Sequence, residues 1–309
     1  MKIENIVFAS PVDGLMIDAI LAYPEGEVKG VIVMAHGIAE YKERYLRMME
    51  IFTDAGFACA MNDHRGYGKS VKDASDYGYT YGAGAQGTVK DFAEMEKIVS
   101  RRFPGAKLFL YGHSMGTLVA LNHLKNACTR FSGVVLSGIP VNTPAAAAGK
   151  QFLKLKRRLK GEKYRDESAK KLMFGSYDAA FKQENLMNAW LNSDKAAVKA
   201  YNDDPLCGGT ATVDGYMSLI DLLIGAYTLK EYRLINNLLP IDIFVGESDP
   251  CVGFEAGAKK SEAFLRKVGF VNVKLHVLKG MRHEIHNEPD GESVMKAFVN
   301  AFTNPLKDS

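Results

Sequence analysis

The sequence has few cysteines, little net charge and no long apolar run, and each shortage removes a class of protein. Cys59, Cys128, Cys207 and Cys251 lie far apart, with no CxxC pair and no Cys/His cluster at metal-ligand spacing. Neither a disulfide scaffold nor a zinc module is expected. Cys59, inside Phe57-Ala58-Cys59-Ala60-Met61, reads as a small buried hydrophobe. Lys and Arg total 39 against 36 Asp and Glu, a net charge of +3, so any electrostatic partner must be sought in a local patch. No stretch approaches the ~18 apolar residues of a bilayer span. The start, Met1-Lys2-Ile3-Glu4-Asn5, carries an early acid and lacks the apolar centre of a signal peptide. A reduced, cytoplasmic protein is expected. Pro is scarce (10) beside Gly (29), which favours tight strand-to-helix turns over a Pro-rich linker. The 309 residues allow one large α/β domain or two ordinary ones, and 47% hydrophobic with 24% charged argues against disorder or coiled coil.

Two periodicities alternate along the chain. Ile6–Ser10 and Leu15–Tyr23 read as an antiparallel pair across Val12-Asp13-Gly14. Val31–Ala35 is a short continuous apolar run, the mark of a strand buried on both faces, and Phe57–Met61, Lys107–Tyr111, Phe131–Ser137, Ile241–Val245 and Val273–Leu278 read as further strands. Between them Tyr41–Ala55, Val89–Phe103, Gly116–Lys125, Gly257–Val268 and Glu292–Phe302 carry helical spacing. The expectation is an α/β fold, a mostly parallel sheet covered by helices on both faces. After Pro140 the text turns helical and polar until about Ile235. The predicted organisation is a core over 1–140 and 236–309, interrupted by a helical cap over 141–235, because a long excursion from a compact domain is usually a functional lid. Lys150–Lys171 holds ten Lys and Arg against Glu162, Asp166 and Glu167. A solvated helix face accounts for it most simply; the sharper reading is a peripheral contact with anionic membrane, since Phe152, Leu153, Leu155 and Leu159 interleave with the charges.

The sharpest local signal is Gly112-His113-Ser114-Met115-Gly116, between a predicted strand and a predicted helix. That G-x-S-x-G context holds a serine exposed on a turn too tight for neighbouring side chains. A serine needs a base, and the base an orienting acid. Asp249 and His283 follow predicted strands on loops at their C-terminal ends, in the chain order Ser, Asp, His of this fold. Glu247 competes for the acid role but lies closer to its strand. Backbone N–H groups for an oxyanion are expected from Met115 and from Ile38, in the loop Ala35-His36-Gly37-Ile38-Ala39, with His36 a structural residue of that loop.

These pieces resemble the monoacylglycerol lipase and lysophospholipase branch of the serine α/β-hydrolases. The resemblance extends to His36-Gly37 with Glu40, Arg44 and Tyr45, to Asp63-His64-Arg65-Gly66-Tyr67-Gly68-Lys69-Ser70, to Trp190-Leu191 with Tyr201, Asp204, Pro205 and Leu206, and to His283-Glu284-Ile285-His286-Asn287-Glu288. It implies a capped α/β-hydrolase fold, no metal or organic cofactor, and cleavage of a lipid ester through an acyl-enzyme on Ser114, with monoacylglycerol the expected substrate. Residues matching Glu40, Arg44 and His286 line the polar end of the pocket in monoacylglycerol lipases and read the substrate hydroxyls. The family often has Gly where this chain has Ala39 and His where it has Tyr41. Two alternatives share the elbow: a lysophospholipase, and a serine aminopeptidase-type peptidase, which would need an acidic pocket for a free amine. Asp63–Gly68 is not a GxGxxG and reads as a brace under the site rather than a nucleotide loop. No nucleic-acid or obligate protein partner is indicated. Met115, Met217, Leu219, Leu222, Leu223 and Ile224 read first as core, with some expected to face the ligand, because a lid over a lipid site needs an apolar inner surface.

Overall fold

The computed structural model describes residues 1–233 and 236–307. Its continuous apolar runs form the centre of one eight-stranded sheet. β3 (Gly30–Ala35), β4 (Phe57–Asn62), β5 (Leu108–His113) and β7 (Ile241–Gly246) are buried at every position, as strands covered on both faces must be. β1 (Lys2–Ala9) and β2 (Met16–Tyr23) pair antiparallel, and β2 continues antiparallel onto β4. From β4 the order is β3, β5, β6 (Phe131–Ser137), β7 and β8 (Val273–Leu278), all parallel.

Parallel neighbours require crossovers, and helices supply them on both faces. α1 (Leu46–Asp54) and α9 (Gly291–Lys307) bury Met49, Phe52, Phe298 and Phe302 against one face. α2 (Gly84–Arg102), α3 (Met115–Ala127) and α8 (Phe254–Val268) bury Phe92, Val119 and Leu265 against the other. α2 begins five residues before its expected start. Gly84 and Gly87 weaken its local helical signal, yet Gly87 is needed: a Cβ there would stand 2.9 Å from the Arg65 guanidinium carbon. Arg65 is buried, pairing with Asp91 at 2.7 Å and Asp13 at 2.9 Å, and Asp63 accepts from the Lys42 and Lys69 backbone N–H groups and the Lys42 ammonium. This is the brace read from the sequence.

Four helices, α4 (Ala145–Lys160), α5 (Glu167–Ala180), α6 (Lys195–Asp203) and α7 (Val213–Ala226), lie between β6 and β7. A single bridge, Arg165 with Thr212, is the β-structure among the described residues there. The expected boundary at Ile235 lies outside the described residues. Part of the basic block is paired: Lys156 with Asp166, Arg157 with Glu162, Lys163 with Asp76. Leu155 and Leu159 on α4 stand exposed. The four cysteines are free and buried, and no helix of the described residues is long and apolar enough to cross a membrane.

Candidate active site

The elbow begins with sterics. Ser114 joins β5 to α3 at φ 52° and ψ −121°, a backbone strained for any residue with a Cβ. The turn closes only because Gly flanks it. A Cβ on Gly112 would meet the Gly116 carbonyl oxygen at 2.7 Å, and one on Gly116 would meet that of Ala35 at 2.1 Å. Met115 opens α3, where first-turn N–H groups have no intrahelical acceptor.

The loop after β7 carries Asp249 and the loop after β8 carries His283. His283 Nδ1 donates to Asp249 Oδ2 at 2.7 Å, and Asp249 Oδ1 accepts the Cys251 backbone N–H at 2.8 Å. That bond fixes the tautomer, so Nε2 is the acceptor, and Nε2 has no hydrogen-bond partner. Burial opposes charge on His283, but the Asp249 carboxylate outweighs it and raises the pKa. Ser114 and His283 line the same cavity, although no hydrogen bond joins them. Such bonds are often long before substrate arrives. Glu247 instead accepts the Gly280 N–H, away from His283.

The loop after β3 is set by its own polar groups. His36 donates from Nδ1 to the Gly37 carbonyl at 2.7 Å and accepts the His64 N–H on Nε2 at 2.9 Å, which requires a neutral ring. Burial and the neighbouring His64 push its pKa well below the ordinary value. Ile38 lies on the cavity wall, whereas the Met115 side chain does not. Ala39 takes φ 59°, a left-handed conformation that explains why glycine is common at this place in the family the sequence resembles. Its carbonyl accepts from Tyr201 Oη at 3.0 Å and the Gly208 N–H at 2.9 Å, and Tyr41 Oη donates to Asp204 at 2.8 Å. The inserted helices are thus latched to this loop.

At the polar end the structure differs from expectation. Glu40 lines the cavity, accepting from the Gly37 N–H (2.6 Å), Tyr45 Oη (2.9 Å) and Arg44 Nη1 (2.6 Å). Arg44 and His286 do not reach the wall. Arg44 forks onto Glu284 at 2.8 and 2.7 Å, and Glu284 lines the cavity in its place. His286 is buried against Tyr45 (centroids 5.2 Å apart) and His113 (4.8 Å); burial pulls its pKa down to about 4. Burial and the Glu284 charge raise the Glu40 pKa; Glu284, also buried, is held below its ordinary value by Arg44. Little in the local sequence marks Glu284 as a site residue, because its partner is 240 positions away. The one available signal was an acid directly after His283.

The cavity spans about 470 Å³, part of it open to solvent, with Ile38, Phe174, Trp190 and Leu191 as its apolar wall. Trp190 lies 4.9 Å from the His283 ring, centroid to centroid. None of Met217, Leu219, Leu222, Leu223 and Ile224 reaches it. Leu219 and Leu222 pack into the main core, and Met217 and Ile224 line a separate surface cleft. Asp249, Cys251 and His283 bring donor atoms within 4.8 Å of one another, a grouping invisible in sequence spacing. The Asp249–His283 bond already engages two of them, and burial pushes the Cys251 thiol up, away from the thiolate a metal needs.

Sheet order, strained elbow serine and Asp–His pair define an α/β-hydrolase of the serine type. Residues 26–290 match the family described as serine aminopeptidase, S33, and the chain belongs to it. It is similar to the monoacylglycerol lipase of Mycolicibacterium smegmatis, 26% identical over 283 residues covering 88% of this chain and 87% of that one. It is also similar to the phospholipase YtpA of Bacillus subtilis, 27% identical over 286 residues, 89% and 95% of the two chains. Among solved structures, a thermostable carboxyl esterase from Bacillus coagulans in complex with glycerol superposes with a TM-score of 0.90 at 25% identity, covering 99% of both chains.

Proposed function

We propose that the protein is a carboxylic ester hydrolase that cleaves monoacylglycerol to fatty acid and glycerol through an acyl-enzyme on Ser114. The observation that carries this reading is one cavity with three features: the strained serine beside the Asp249-paired His283, an apolar wall, and a polar end of carboxylates. His283 Nε2 takes the Ser114 hydroxyl proton as Oγ bonds to the ester carbonyl carbon. The Ile38 and Met115 N–H groups hold the oxyanion. As the carbonyl re-forms, the C–O bond to glycerol breaks and His283 returns the proton to the leaving oxygen. A water then attacks the acyl-enzyme by the same route, releasing fatty acid and free serine. The monoacylglycerol lipases among the relatives support the substrate. The helices of 141–235 act as the cap, and Leu155 and Leu159 beside Arg157, Arg158 and Lys160 favour peripheral contact with anionic lipid.

The phospholipase relative keeps a lysophospholipase reading open. The peptidase alternative finds two wall carboxylates, Glu40 and Glu284, that share the single Arg44 guanidinium, so activity decides between ester and amide. Assaying 1- and 2-monoacylglycerols, lysophosphatidylcholine and aminoacyl-nitroanilides side by side separates the three. Glyceride turnover dominant and nitroanilide turnover absent is the expected result. Dominant nitroanilide cleavage would overturn the proposal.

A further inference from the structure

We propose that Glu284 determines head-group specificity: with Glu40 it makes the polar end of the cavity a hydrogen-bond-accepting surface that takes hydroxyl-bearing head groups and turns away phosphate. This rests on the ester-hydrolase reading of the same site and adds what that reading leaves open, the charge class of the head group.

An ionised carboxylate only accepts, at about four lone-pair positions. Glu40 accepts three bonds, from the Gly37 N–H, Tyr45 Oη and Arg44 Nη1. Glu284 also accepts three, from Arg44 Nη1, Arg44 Nη2 and Asn287 Nδ2. Each therefore keeps about one position. Of the donors around them, Tyr201 Oη bonds the Ala39 carbonyl, one Asn188 Nδ2 hydrogen bonds Asn202, and three Arg44 N–H groups bond the two acids from behind the wall; Trp190 Nε1 is an unpaired donor, on the apolar side beside His283. His286 is off the wall and neutral at pH 7, so it brings no positive charge. Lys170 is the cation on the wall among the described residues; it is half-buried and donates to the Gly208 carbonyl at 2.7 Å. The Ile38 and Met115 N–H groups belong to the ester carbonyl.

Two spare acceptors match the two free hydroxyls of a monoacylglycerol. A phosphate brings lone pairs and negative charge to the same two oxygens, where neither finds a donor. Without Glu284, the Arg44 guanidinium would face the head group and invite an anion. Glu284 inverts that preference by occupying both Arg44 Nη nitrogens.

The test compares 1-oleoylglycerol with 1-oleoylglycerol 3-phosphate, both in mixed detergent micelles, as kcat/KM per fluorophosphonate-titrated serine. The wild type is expected to favour the neutral lipid at least 100-fold. In Glu284→Gln the amide offers N–H donors, and that ratio should fall at least tenfold, with folding checked by circular dichroism. Equal loss on both lipids with an unchanged ratio would make Glu284 only a support for Arg44 and overturn the proposal. A wild type preferring the phosphate, with that preference lost in Lys170→Ala, would overturn it too, whether or not the Gln variant folds. Failure of the ester-hydrolase reading looks different: no serine labelling, or turnover of neither lipid.

Discussion

Ser114 stands in a conformation that its own side chain disfavours, and that strain lifts the hydroxyl clear of the turn. Ser114→Ala removes the proposed nucleophile and leaves the elbow's backbone intact. It should lower kcat by about 10³- to 10⁶-fold with an unchanged circular dichroism spectrum. Fluorophosphonate labelling of a different serine would refute the assignment. His283, the proposed base, must be neutral to act, while Asp249 holds its pKa above the ordinary 6.5. The kcat/KM profile should therefore climb with pH, about tenfold per unit, to a plateau reached only above that ordinary value. A plateau complete by pH 6 would show that the pair does not form in solution. Ala39 carries a smaller strain at φ 59°. Ala39→Gly should raise stability by about 0.5–1 kcal/mol in urea unfolding, since glycine accepts that conformation without a Cβ clash. A loss of stability would mean that the Ala39 methyl contributes more to packing than its backbone costs.

At the scale of elements, the sheet and the inserted helices differ in how they are held. β3, β4, β5 and β7 are buried throughout, whereas α4 buries only Gly149 and Leu153 and α5 only Ala169. Few buried apolar contacts mean low local stability. Amides of α4 and α5 should exchange with solvent faster than those of the central strands, and should slow when a lipid-like phosphonate occupies Ser114. Equal protection with and without the inhibitor would remove the lid role from these helices. The latch at Ala39 makes the response directional. Tyr201 and Gly208 bind the carbonyl of the residue next to Ile38, so cap movement is felt in the loop expected to hold the oxyanion.

The whole molecule buries four histidines in neutral form. His64 and His286 have pKa values pulled down to about 4 by burial, and His36 and His113 lie well below the ordinary value. Unfolding returns each to about 6.5, so between pH 6.5 and 4 the unfolded chain binds more protons and stability falls with pH. His283 works the other way: its raised pKa stabilises at low pH and that contribution fades as pH rises. Four groups outweigh one. The urea-unfolding free energy should drop by a few kcal/mol from pH 7 to pH 5. A flat profile would show that these rings are solvated in solution.

The local signals were strong wherever one segment carried its own explanation. Gly112-His113-Ser114-Met115-Gly116 identifies the elbow because adjacent residues meet each other's sterics, and β6 and β8 match their expected bounds residue for residue. The Ser, Asp, His order along the chain was legible for the same reason, each residue closing a strand of its own. Start points drifted where glycine weakened a helix, as in α2. What only tertiary structure decided was the content of the cavity wall. The expected readers were Glu40, Arg44 and His286, but folding sets His286 behind the wall against Tyr45 and His113 and turns Arg44 onto Glu284. Trp190 and Phe174 line the apolar wall, whereas the aliphatics of α7, some of them expected there, pack as core or face a separate cleft. Such choices rest on which side chains meet across 100 to 240 residues of chain, and an ion pair at that separation leaves no periodicity in either segment. The sequence by itself therefore determined the strands, the elbow and the order of the catalytic candidates, because local sterics and burial period govern those. Charge pairing across the closed fold decided what lines the cavity.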